Sequence, residues 1–120
     1  MPLSPELEEL SAEAWPRFVR ELHRQHIHGN VTIEEREPAL EEDDIATWLV
    51  VDSAQLLGLS YSMLPQPAVE VAWRTATGGT RSHQAVAPVR IYHARDPYGN
   101  EVELRIDRAD GGTTLLYFKG

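Results

Sequence analysis

Polar and apolar residues alternate without a break from Glu101 to Asp107, the period of a strand with one wet and one buried face. Turn-forming residues flank this stretch, Asp96-Pro97-Tyr98-Gly99-Asn100 before it and Asp110-Gly111-Gly112 after it. Val89 to Phe118 is therefore predicted as a meander of three strands. Upstream, Val69 to Trp73 alternates and leads through Gly78-Gly79 into Thr80 to Val86, a predicted hairpin that Pro88 ends. Thr47 to Val51 is a continuous apolar run, as in a central strand covered on both faces. Val31-Thr32-Ile33 predicts a short strand before an acidic loop from Glu34 to Asp44 that Pro38 breaks. Leu56 to Met63 fits both periods, with Leu56, Leu57, Leu59 and Met63 at helical spacing and Leu57, Leu59 and Tyr61 at strand spacing.

The N-terminal third has the longer period. Trp15, Phe18, Val19, Leu22 and His26 fall on one stripe of a helix that stops at Gly29. Ser11 can cap it, and Pro16 about one turn in implies an irregular or later start. Ser4-Pro5-Glu6 reads as a second cap, with Pro at the first helical position, opening a short acidic turn or helix to Leu10. The pattern predicts one α+β domain over residues 1–120. In it an N-terminal amphipathic helix packs on a twisted, mainly antiparallel sheet of about six strands, curled toward a half-barrel.

Composition narrows the function classes. A chain of 120 residues buries roughly two-thirds of its unfolded surface and needs no staple. The absence of Cys excludes disulfides, thiolate metal sites and thiolate nucleophiles. No basic segment followed by an apolar run opens the chain and no apolar run approaches about 18 residues, so the expectation is a cytoplasmic protein with no membrane partner. The net charge of −8 lies entirely in residues 1–45, which hold 12 of the 19 acids against four bases. With no basic stripe to displace counterions, nucleic acid is not an expected partner. The acid excess reads as solvated surface that keeps the chain soluble, against a DNA mimic or a cation site.

Two constellations could carry chemistry. In His23-Arg24-Gln25-His26-Ile27-His28, His23 and His26 are helical neighbours able to reach one Zn²⁺ or Ni²⁺ with His28 and a carboxylate. The spacing matches no zinc motif, and His28 at the helix end also suits the dipole. Asp96-Pro97-Tyr98-Gly99-Asn100-Glu101-Val102-Glu103-Leu104 resembles the Asp-Pro-x-Gly-Asn-x-x-Glu-Leu signature of the glyoxalase and extradiol-dioxygenase superfamily, the vicinal oxygen chelate fold. That resemblance would make Glu103 a metal ligand beside His83 or His93. The strand period instead puts Glu103 on the wet face. His83 and His93, in adjacent predicted strands, are the candidate pocket residues.

A broader resemblance spans most of the chain. Trp15-x-x-Phe18, His26-x-x-Gly29-x-Val31-Thr32-Ile33-Glu34, Leu57-Gly58-Leu59, His83 before Pro88-Val89-Arg90-Ile91, Leu104-x-Ile106 and Ala109-Asp110-Gly111-Gly112-Thr113-Thr114-Leu115-Leu116-x-Phe118 resemble an uncharacterised bacterial family (domain of unknown function 5335). This implies a small bacterial protein with no assigned activity and no catalytic residues to carry over. Ser53, Ser60, Ser62 and Ser82 stand in no nucleophile elbow, and no phosphate-cradling glycine loop precedes a helix. The leading expectation is a non-enzymatic binding or interaction module with no cofactor, meeting a protein partner or a second copy through an edge strand. The alternative is a metal-dependent enzyme of the vicinal oxygen chelate type using Glu103, His83 and His93.

Overall fold

The computed structural model of the chain describes residues 6–37 and 47–119. One helix, α1 (Trp15–His26), follows strand β1 (Glu8–Leu10) and a 3-10 turn at Ala12–Ala14. The remaining strands are β2 (Asn30–Arg36), β3 (Thr47–Ser62), β4 (Ala68–Arg74), β5 (Thr80–Val86), β6 (Pro88–Arg95), β7 (Glu101–Arg108) and β8 (Thr113–Lys119). They form one sheet, ordered β1-β6-β7-β8-β2-β3-β4-β5, with every neighbouring pair antiparallel. The α+β class and antiparallel sheet stand, but among the described residues the sheet has eight strands and not about six.

Glu8–Leu10, expected as a turn or helix, is a strand because β6 offers a partner, with Leu10 opposite Ile91. Trp15 fixes this corner by donating its indole N–H to the Leu10 carbonyl at 3.2 Å. Leu56 to Ser62 is strand, since Thr47–Ser62 is one element that pairs first with β2 and then with β4, and Met63 lies just past its end. That division also corrects the expected burial of Thr47 to Val51. Among the described residues only β2 flanks this half of β3, and Trp48 and Leu49 are 45% and 52% exposed. Trp73 on β4, by contrast, is buried. Of the acidic loop, Glu34 to Arg36 continue β2, while residues 38–46 lie outside the described part.

Period two along each strand gives the sheet a concave inner face. Val31, Ile33 and Glu35 on β2 stand opposite Phe118, Leu116 and Thr114 on β8, and the row continues into Leu104 and Ile106 on β7. The helix lies across this face. It touches β3 through an edge contact of Trp15 with Tyr61, β6 through Phe18 against His93, and β8 through His26 stacked on Phe118. Trp15, Val19 and Leu22 are its buried residues, and Pro16 sits in its first turn, where a missing N–H costs nothing. No helix among the described residues is long and apolar enough to cross a membrane.

Phe18 belongs to the predicted stripe but sits at its margin, half-buried and edge-on to His93 with ring centroids 4.8 Å apart. Phe18→Ala is expected to cost about 2 kcal/mol, roughly half of what a fully buried Phe loses. Urea unfolding of the variant measures it. A loss above about 4 kcal/mol would place the ring in the core, and an unchanged midpoint would deny it any packing role.

Candidate functional site

The inner face of the sheet holds two networks in which a buried carboxylate meets a histidine. The first centres on Glu35, only 2% exposed, which strand period points inward after Val31 and Ile33. Its Oε1 lies 2.7 Å from His83 Nε2 on β5 and accepts from the Thr114 hydroxyl on β8 at 2.5 Å, while Oε2 accepts from Arg108 Nη1 at the end of β7. Arg108 also donates to Thr114 Oγ1 at 2.8 Å and to Asp110 Oδ1 at 3.2 Å. Gly112 makes room for this guanidinium, since a Cβ there would collide with it. Burial alone would push the Glu35 carboxyl up. The donors His83, Thr114 and Arg108 outweigh it and hold the group below its ordinary value.

The second network centres on Glu101. A register shift between β6 and β7, where Ala94 faces Glu103 but Arg95 faces Glu101, breaks the strand alternation and turns Glu101 inward, 5% exposed. Its Oε2 is 2.9 Å from His93 Nδ1, and its Oε1 accepts from Arg95 Nε at 2.5 Å. His93 Nε2 lies 3.7 Å from Glu8 on β1.

These networks place the expected site residues. His83 and His93 are not in adjacent strands, because β5 is one edge of the sheet and β6 lies beside the other edge strand, β1. Each is held by its own carboxylate. Glu103 faces the outer side, in register with Tyr117 and with Arg36 and Arg105 nearby; burial raises its carboxyl above the ordinary value, against the pull of those two guanidinia. The three residues of the metal-enzyme alternative are thus not brought together. His23 is also apart, its Nδ1 accepting from the Leu59 backbone at 3.1 Å.

The two sequence constellations do meet elsewhere. The end of α1 with the residues after it (Gln25 to Gly29), the β6–β7 turn with the start of β7 (Asp96, Asn100, Glu101, Val102) and Phe118 together line a cleft of about 660 Å³. The helix leaves through His28 in a left-handed conformation, φ 72°, whose N–H donates to the Leu56 carbonyl at 2.8 Å. The facing turn is built by Asp96, whose Oδ1 accepts from the backbone N–H groups of Tyr98 and Asn100, both at 2.9 Å, with Gly99 at φ 87°. Those bonds hold the Asp96 carboxyl below its ordinary value. His26 stacks on Phe118 with centroids 4.5 Å apart, and burial lowers its basicity, which favours the neutral ring. Its Nε2 is the one buried side-chain polar atom among the described residues with no hydrogen-bond partner.

No family model, curated protein or solved structure matches this chain. The resemblances drawn from the sequence rest on the residues quoted for them.

Proposed function

We propose that this chain is a small non-catalytic binding module, bacterial and cytoplasmic in setting, whose ligand site is the cleft between the end of α1 and the β6–β7 turn. The observation that carries the reading is the charge of that cleft. Its lining includes Asp96, Glu101 and the C-terminal end of a helix, and among the described residues no Lys or Arg lines it. Glu101 is already balanced by Arg95, whereas Asp96 has no cationic partner among the described residues. The chemistry suits an organic cation, an alkylammonium group entering beside the His26 ring. A volume of about 660 Å³ lies in the usual range of small-molecule sites.

Non-catalytic is supported by what the acids and histidines do. Glu35 and Glu101 are both committed to internal donors, and His83 and His93 to those two carboxylates. The same reading includes a protein partner or a second copy on a strand edge, since among the described residues β1 and β5 each pair on one side only.

Titration with butylammonium, followed by the imidazole resonances of His26 and His28, tests the cleft. Saturable shifts are expected, with no response to acetate. Asp96→Asn keeps an Oδ1 to accept from Tyr98 and Asn100 but removes the charge, and should weaken binding about fivefold. Equal response to acetate, or binding unchanged in this variant, would refute the cation reading.

A further inference from the structure

We infer that the first half of β3 is a docking site for an acidic, extended segment of a partner protein, which adds a strand to the sheet there. Residues 47–54 pair with β2 on one side, but on the other side β4 begins only at Gln55 opposite Arg74. Among the described residues nothing covers that edge. The overhang is eight residues, at most about 26 Å at roughly 3.3 Å per residue, and it is bulged, with register shifts against β2 and Ser53 at φ 53°. Such a row of unpaired N–H and C=O groups is a template for another chain.

The surroundings match this use. The overhang and the β4–β5 hairpin enclose an open notch of about 930 Å³, in line with β4. Trp48 and Leu49, exposed at the start of the overhang, offer apolar contact. Within a chain of net charge −8, this notch is locally basic, with Arg74 and Arg81 against Asp52 alone. Asp52 already accepts from the Thr32 hydroxyl at 3.1 Å, while neither arginine has an ion-pair partner among the described residues. Register puts the two arginines on opposite faces, since Arg81 stands across from Trp73 and Arg74 across from Thr80. An incoming strand also alternates faces, so two acids at neighbouring positions would reach one arginine each.

A second copy of this chain is the weaker occupant, because two bodies of charge −8 repel. The site is separate from the helix-end cleft and does not depend on it.

The probe is a blocked valine–threonine peptide long enough to span residues 47–54, with Glu and Asp adjacent at its centre. Its counterpart carries Lys at both positions. The acidic peptide is expected to bind at least about tenfold more tightly, to change Trp48 emission and to protect amides of residues 47–54 from exchange. Arg74→Glu and Arg81→Glu, each checked for an unchanged far-UV spectrum, should each remove that preference, whereas Asp96→Asn should leave it intact. Equal affinity for the two peptides, protection elsewhere in the sheet, or concentration-dependent dimerisation that protects the same amides without peptide would overturn the inference. Butylammonium binding lost while the peptide result holds would sink only the cleft.

Discussion

Deleting residues 113–120 is expected to abolish cooperative folding. The strand removed lies inside the sheet, paired along its whole length with β2 and along most of it with β7. Its loss would separate β1, β6 and β7 from the other strands and expose two ladders at once. Leu115, Leu116 and Phe118 are at most 4% exposed, and each contributes roughly 1.5–3 kcal/mol when buried. Their sum approaches the roughly 5–15 kcal/mol that holds a whole domain together. Leu115 points to the outer face yet is buried, because in register it sits between Glu34 and Arg105, whose apolar stems can cover it. Far-UV circular dichroism against urea is the measurement. A sharp transition near the wild-type midpoint would show that the strand is an accessory and not part of the core.

Much of this arrangement was legible in local pattern. The β4–β5 hairpin follows from the Gly78-Gly79 turn between two alternating stretches, and the β6–β7–β8 meander from Asp96 to Asn100 and from Asp110 to Gly112. The helix follows from the stripe Trp15, Val19 and Leu22. What local pattern cannot supply is the neighbour. An apolar run such as Thr47 to Val51 predicts two covered faces only if other layers pack over it, and here the run projects past β4 with Trp48 and Leu49 exposed. Glu8–Leu10 has no strand period of its own and becomes a strand through β6.

The site was legible to a lesser degree. The sequence singled out the histidine run and the Asp-Pro-Tyr-Gly-Asn turn, but nothing in either indicates that the chain brings them together around one cleft. Glu101 was hidden by its own regularity. Perfect alternation assigns it to the wet side with Glu103, and one register shift reverses it. Glu35 was obscured by its acidic neighbours, although continuing the period from Val31 and Ile33 would have placed it inside. Its partners come from β5, β7 and β8, distances in sequence that no motif spans.

Glu35 is therefore where a single substitution should cost most for its size. Glu35→Ala would leave Arg108, whose side chain is 13% exposed, as a buried charge facing Thr114 and His83 with its main counter-charge gone. Removing one partner of a buried pair typically costs about 3–5 kcal/mol. The pH dependence has a definite sign. Because the folded-state carboxyl is held below its ordinary value, its contribution is fully present above that value and is lost as pH falls through the depressed one. Urea midpoints measured from neutral pH into the acid range should fall in the wild type and fall less steeply in Glu35→Gln, which keeps an acceptor for Thr114 but has no charge to lose. Replacing both Glu35 and Arg108 with apolar residues of similar volume should recover much of the loss, since an absent pair leaves no unmatched charge. If Glu35→Ala unfolds at the wild-type midpoint, the network closes nothing, and the curl of β5 toward β2 must be held by the apolar core alone.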